Sequence, residues 1–357
     1  MSSRTGEPPV DSNVSAARAT GSVPLLELRD LRLDLPVNGE LKRVLHDVSL
    51  EVFPGEAFGL VGESGSGKSL TARSIARLLP RGAVSSGEIR FDGESVMDLS
   101  GSALRRHRIG AVSMIFQDPR AHTNPVRSIG DFLTEVLVKE LGVPASEARR
   151  RAVQTLGEVG IADGERRLRQ YPHELSGGML QRVMIACALL AEPRLILADE
   201  PTTALDVITQ SEVIAILDEL RRERGLALLF ITHDLELAAA VCDRSAVMYA
   251  GSIVELQTSQ QLNNEPLHPY SAALMAARPS VDVTSRRLAA ISGRPLSAFE
   301  TPFGCAFAGR CPHRQPRCVE TAQELRAVAG GLVRCCRAEE LRGLLTVGEE
   351  AEVQTRA

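Results

Sequence analysis

The run Gly62-Glu63-Ser64-Gly65-Ser66-Gly67-Lys68-Ser69 fits the pattern G-x-x-x-x-G-K-[ST] at every position. Glycines let a backbone wrap so that its N–H groups face a phosphate chain, and a following helix adds the positive end of its dipole. In such a loop Lys68 reaches the β and γ phosphates and the Ser69 hydroxyl ligates Mg²⁺. The pattern carries weight only between a strand and a helix. Residues 57–61 form a short apolar run, and residues 68–79 have a helical pattern, so both flanks are present. Lysine is scarce: of 41 basic residues only Lys42, Lys68 and Lys139 are lysines, which makes a lysine in this position informative.

Moving outward, Arg194-Leu195-Ile196-Leu197-Ala198-Asp199-Glu200 is an apolar run that ends in two carboxylates. Asp199 at a strand end can hold Mg²⁺, directly or through water. Glu200, one residue on, points elsewhere and can polarise a water for in-line attack on the γ-phosphorus. Residues 226–231 form another short apolar run with polar residues at its end. Buried parallel strands read this way, and their ligands bind beyond the C-terminal strand ends. Ser176-Gly177-Gly178 opens a helix running to Leu190 and offers a second anion site at its N-terminus. Two phosphate sites in one chain suggest a shared nucleotide, with the loop of one chain and the Ser-Gly-Gly of another clasping one ATP.

Around this centre, residues 25–33 alternate apolar and polar and residues 44–53 repeat the pattern, as half-buried strands do. Residues 87–92 and 109–116 read as further strands. Residues 119–180 carry helical patterns, broken at Gly142-Val143-Pro144 and at 160–164. Residues 1–22 look like a disordered leader without the apolar centre of a secretory signal. From Pro266 the composition shifts toward Pro, Arg and Cys. The expected division is a leader (1–22), a nucleotide-binding domain (23–277) with a helical part at about 118–180, a small cysteine-bearing domain (278–345), and a tail (346–357).

The chain has 357 residues, 44% apolar and 24% charged, so wholesale disorder is excluded. A net charge of −4 gives no electrostatic case for nucleic acid, and 3% aromatics with no Trp leave no platform for stacking bases. No apolar run approaches the roughly 18 residues needed to span a bilayer, so a membrane role has to come through partners.

Of seven cysteines, Cys187 and Cys242 sit in apolar stretches and read as small core residues. Cys305, Cys311, Cys318, Cys335 and Cys336 crowd the last part of the chain. In a reducing compartment such crowding suggests a metal or cluster before disulfides. Four thiolates suit an iron–sulfur cluster or Zn. No C-x-x-C pair is present, so the spacing is not that of a zinc ribbon. Free thiols are the third reading.

These motifs together carry a resemblance. The phosphate loop, Gln117, Leu175-Ser176-Gly177-Gly178-Met179, Asp199-Glu200 and His233 occur in the order of the ATP-binding cassette (ABC) ATPases, over residues 25–275. The resemblance is closer to the ATPase subunits of oligopeptide/dipeptide importers. It is carried by Ile115-Phe116-Gln117-Asp118-Pro119 with Asn124-Pro125, Tyr171-Pro172-His173-Glu174-Leu175-Ser176-Gly177-Gly178-Met179, Val183-Met184-Ile185-Ala186 and Asp199-Glu200-Pro201-Thr202-Thr203-Ala204-Leu205-Asp206-Val207. His268-Pro269-Tyr270 and the segment Gly304 to Pro312 are similar to that family's C-terminal extension.

The resemblance implies an α/β P-loop ABC ATPase domain: a RecA-like core, an antiparallel β-subdomain and a helical subdomain, followed by the small Cys-containing domain. It implies ATP and Mg²⁺ as cofactors, with Ser69, Gln117 and Asp199 at the metal. It implies catalytic roles for Glu200, His233 and Gln117. Nucleotide contacts are expected from Gly62, Glu63, Ser64, Gly65, Ser66, Gly67, Lys68, Ser69 and Leu70, and from Ser176, Gly177, Gly178 and the dimer-interface Asp206. It places Cys335 at the family's last cysteine and Cys336 where the family often has His; the irregular cysteine spacing makes Cys305, Cys311, Cys318 and Cys335 the expected ligands of a [4Fe-4S] cluster. It also implies two transmembrane permease subunits, a second ATPase subunit, and indirectly an extracytoplasmic solute-binding protein, with this chain peripheral on the cytoplasmic side of the cell membrane. Nickel, glutathione or glycosides are alternative cargoes for the same machine, and a soluble non-transport ABC ATPase is the alternative of another class.

The chain departs from the family pattern in three places. Met179-Leu180-Gln181-Arg182 stands where the family usually has Met-Arg-Gln-Arg. His122-Thr123 stands where it has Ser-Leu. No aromatic lies between Leu31 and Leu45 to stack on adenine, so Arg43 or Val44 has to pack there.

Overall fold

Strand β1 (Leu26–Val37) turns at Asn38-Gly39 into β2 (Glu40–Val52). Both turn residues have positive φ, +53° and +85°, which suits the tight hairpin turns that match strand twist. With β4 (Val84–Phe91) and the short β5 (Glu94–Ser95) they form a four-stranded antiparallel sheet in the order β2-β1-β4-β5. The computed structural model describes residues 23–203, 205–277 and 291–345. The expected leader, the tail and the boundary near 278 lie outside these residues.

The second sheet has eight strands in the order β11-β12-β10-β9-β3-β8-β7-β6. Its centre is parallel: β3 (Ala57–Val61), β6 (Val112–Ile115), β7 (Leu195–Asp199), β8 (Ala227–Thr232) and β9 (Arg244–Tyr249). The antiparallel edge is β10 (Ser252–Thr258), β11 (Arg326–Val328) and β12 (Gly331–Val333). The central strands are apolar throughout because both faces are covered. On β8, Leu228 and Phe230 enter a core shared with the helical region, while Leu229 and Ile231 enter the core under the four-stranded sheet.

The helical region follows its sequence breaks. Helices Ile129–Lys139, Ala145–Glu158 and Gly164–Arg167 precede the long helix Gly177–Leu190. Ser128 caps the first, accepting a hydrogen bond from the Asp131 N–H at 3.1 Å. Two expected elements are shorter than the sequence pattern. The helix after the phosphate loop spans Lys68–Ile75, and residues His107–Ala111 form a π-helical turn ahead of β6. One contact set accounts for both. The buried His107 ring bonds the Ile75 carbonyl and Arg108 donates to that of Ala76, so the helix end and the turn satisfy each other.

The cysteine-bearing region continues the same sheet, since Glu255 and Leu256 of β10 pair with Val333 and Leu332 of β12. Within it, ahead of the cysteines, Ala298 and Thr301 bond His46 on β2 and the Ala250 carbonyl after β9.

Candidate functional site

The residues predicted from the loop and the carboxylate pair meet at the C-terminal ends of β3, β6, β7 and β8. The loop leaves β3 and enters its helix through Gly67, whose φ of +107° is a conformation that favours glycine. A side chain there would also strike Leu45 at 2.8 Å. Lys68 is almost wholly buried, and its ammonium donates to the Gly62 and Glu63 carbonyls at 2.8 and 3.1 Å. Burial pushes its pKa down, while Glu200 and Asp199 pull it back.

Ser69 donates to the Asp199 carboxylate at 2.7 Å, so two of the three expected Mg²⁺ ligands are in contact. Asp199 is held above the usual carboxylate range, chiefly by burial. An anion that is costly to ionise beside a hydroxyl is the donor chemistry of a hard-cation site, because a bound divalent ion relieves that cost.

Glu200 sits at φ +45°, an uncommon conformation for a side-chain-bearing residue, held by its N–H bonding the Ile231 carbonyl. Its carboxylate accepts from the Gln117 amide and the Thr203 hydroxyl, both at 2.9 Å. The His233 ring lies 3.8 Å away and Lys68 is also at 3.8 Å. His233 above all, then Thr203 and Lys68, hold Glu200 below its ordinary pKa against the effect of burial. Glu200 in turn raises His233. Glu200 is therefore an ionised, multiply oriented carboxylate at neutral pH.

Ser176, Gly177, Gly178 and Asp206 occupy a separate cavity of about 620 Å³. Ser176 caps its helix through Met179, and Asp206 caps the helix Val207–Arg224 through Thr209. A side chain at Gly178 would strike Thr209 at 2.5 Å, so the glycine permits the two helix ends to approach. Of the two residues expected beside adenine, Val44 is buried in the core and Arg43 pairs with Asp34 at 2.9 Å on the exposed hairpin face. Val44 is thus unavailable to a base.

Three matches define the relationship. Residues 45–203 match the ABC transporter family model, and residues 254–318 match the oligopeptide/dipeptide transporter C-terminal region. The oligopeptide transport ATP-binding protein OppD of Salmonella typhimurium is 41% identical over 312 residues, 87% of this chain and 93% of its own. The chain belongs to the ATP-binding subunits of the ABC transporter family. The dipeptide transport ATP-binding protein DppD of Bacillus subtilis is likewise 41% identical, over 82% of this chain and 88% of its own. Among solved structures, a dimeric ABC cassette in a post-hydrolysis state with ADP and Pi has a TM-score of 0.59 at 28% identity, covering 66% of this chain and 98% of that one. The cbiO1 cassette of Clostridium perfringens, part of the ABC transporter complex cbiONQ, has 0.58 at 27% identity, over 67% of this chain and 90% of that one. As an ABC ATPase the chain takes ATP and Mg²⁺. Among its described residues no helix is long and apolar enough to cross a membrane.

In this ABC subunit all five C-terminal cysteines, with His268 and His313, line one small cavity of about 10 Å³. Burial pushes the thiols of Cys305 and Cys311 up to about 11 and that of Cys335 up to about 12. The Cys318 and Cys336 sulfurs are 3.8 Å apart. Among the described residues no three His, Cys, Asp or Glu side chains stand ready to hold a metal ion. The expected cluster ligands therefore converge around a space for about one water, with Cys305, Cys311 and Cys335 held protonated by burial.

Sequence reasoning missed three partners of the nucleotide loop and its base. Thr203 lies within a quoted motif, so its contact with Glu200 was within reach. Tyr270 was seen only as a family mark, yet its hydroxyl accepts from the Glu63 N–H at 2.9 Å. Arg310, hidden among the cysteines, pairs with the Glu63 carboxylate at 2.7 Å. No local pattern links residues 247 positions apart.

Proposed function

We propose that this chain works as the ATP-hydrolysing subunit that powers import of oligopeptides or dipeptides through membrane permease partners. The observation that carries the reading is the convergence of Lys68, Ser69, Gln117, Asp199, Glu200 and His233 at four adjacent strand ends. In the proposed roles, the loop amides from Gly62 to Leu70 and the Lys68 ammonium hold the phosphates. Ser69, Asp199 and Gln117 hold Mg²⁺, which when bound supplies charge neutralisation between the phosphates. Glu200 accepts hydrogen bonds that keep it ionised and turned toward the site, so it can orient and polarise the attacking water. His233 supports Glu200 and faces the γ-phosphate position.

Ser176-Gly177-Gly178 and Asp206 are assigned to the nucleotide held by a second ATPase subunit. Their separation into another cavity of the same chain supports that division. The remaining partners are two permeases and, indirectly, a solute-binding protein, with this chain peripheral on the cytoplasmic face. Residues 23–277 form the cassette and 278–345 the transporter-type extension. We also assign an iron–sulfur cluster to Cys305, Cys311, Cys318 and Cys335. Support comes from the convergence of the sulfurs on one cavity. Loading has to spread the thiols and displace their protons.

The test is a pull-down of tagged Glu200→Gln protein with ATP from detergent-solubilised native membranes, read by mass spectrometry. Two polytopic permeases, a sister ATPase and a peptide-binding protein are expected. A nickel- or glycoside-binding protein in the complex changes the cargo, and recovery of ribosomal or DNA-repair proteins without a permease overturns the transport reading.

A further inference from the structure

We infer that Arg310 is a positioning residue for the phosphate loop, acting through Glu63, and that the C-terminal region thereby sets ATP affinity. Glu63 is a variable position of the loop pattern, yet it is held at three points. Its N–H bonds the Tyr270 hydroxyl at 2.9 Å, its carbonyl accepts from Lys68 at 3.1 Å, and its carboxylate takes both arms of the Arg310 guanidinium at 2.7 and 3.1 Å. Arg310 is itself fixed. Its side chain is only 6% exposed, its Nε donates to the Ser292 carbonyl at 3.1 Å, and its guanidinium lies 5.9 and 5.8 Å from the Tyr249 and Phe307 ring centres.

The physical case rests on preorganisation. A loop with three glycines in eight residues has many conformations, and binding phosphate requires one of them. A two-armed Arg–carboxylate pair fixes orientation as well as distance, and it is stronger when water is excluded. Holding the first turn of the loop in place before nucleotide arrives removes part of the ordering cost from binding. Arg310 lies outside the matched cassette residues 45–203 and within the matched transporter extension, between Cys305 and Cys311. The extension thus reaches the phosphate loop at Glu63 through Arg310 as well as through Tyr270.

This inference rests on the phosphate-loop assignment, and the experiment separates the two. MgATP affinity of the full-length chain is measured by titration calorimetry, and ATPase kinetics are measured on the assembled transporter. Arg310→Ala and Glu63→Gln are each expected to raise the MgATP Kd and KM roughly tenfold, with kcat within about twofold. Arg310→Lys, which keeps the charge and loses the fork, is expected between wild type and Arg310→Ala. Adding Arg310→Ala to Glu63→Gln is expected to change nothing more. An unchanged Kd in the single variants overturns the inference. So does a double variant whose effects add, because Arg310 would then act on the fold of the cysteine region and not through Glu63. If Arg310→Ala fails to fold, Glu63→Gln and Arg310→Lys decide alone, since neither removes a charge from Arg310. Lys68→Ala is the separate check: if it still binds ATP, the loop assignment itself falls.

Discussion

Two clusters of ionisable groups lie on either side of Arg310, and they are prepared very differently. At the nucleotide site the catalytic and metal-site side chains have polar partners: Lys68 on loop carbonyls, Ser69 on Asp199, and Gln117 on Glu200, which Thr203 also holds. Glu200 is consequently held ionised. At the cysteine pocket burial holds the thiols of Cys305, Cys311 and Cys335 protonated. The first site is organised by the protein and awaits only its ligand. In the second the thiols converge on a space for about one water. The difference follows from position. Parallel strand ends present backbone and polar side chains to a common point, whereas the cysteines come from loops and short turns around a sheet edge.

The largest expected effect breaks or confirms the catalytic half of this contrast. Glu200→Gln should lower ATP turnover by at least about 100-fold while MgATP binding persists, since the amide keeps the shape and loses the charge. Turnover near the wild-type rate would remove Glu200 from its role. Lys68→Ala, in contrast, should abolish measurable nucleotide binding, read by the same calorimetry.

The cysteine half is sharpened by anaerobic purification. A brown protein absorbing near roughly 400 nm, with iron and acid-labile sulfide, is expected, and serine at Cys305, Cys311, Cys318 or Cys335 should bleach it. A colourless wild-type protein free of iron would leave zinc or free thiols. Metal loading should also release protons, because the buried thiols begin protonated.

The smallest effect lies beside the cysteine pocket, where Glu255 on β10 and His268, which caps the helix Pro269–Ala276, are buried together. Burial pushes Glu255 up to about 7 and His268 down to about 3. An acid raised in the folded state loses stability as pH rises from its unfolded value, 4.5, toward 7. A base lowered in the folded state loses stability as pH falls below its unfolded value, 6.5. The two slopes oppose each other between 4.5 and 6.5. Glu255→Gln removes one and leaves the other. Relative to the parent, its Tm should drop by roughly 2–4 °C on acidification across that window. Parallel Tm curves for the two proteins would mean that Glu255 does not titrate there.

Much of this was legible from local pattern. The phosphate loop, the Asp199-Glu200 strand end and the Ser176 cap are each contiguous motifs whose chemistry depends on neighbours in sequence. The strands at 57–61, 194–198 and 226–231 were readable because burial on both faces leaves an unbroken apolar run. The helix ending at Ile75 and the π-turn at His107 were not, because each is set by the other across 32 residues. Arg43 or Val44 was expected beside a base by elimination, and the pleat of β2 turned Val44 into the core.

By itself, then, the sequence determined which family this chain belongs to, that it is an ATPase built on a parallel sheet, and which groups are expected at its nucleotide site. Only the tertiary structure decided that the cysteine region shares the cassette's sheet and that Arg310 reaches across to Glu63. Motifs encode contacts between residues close in the chain. An ion pair between positions 63 and 310 exists only once the strands are in register and water has been excluded around it.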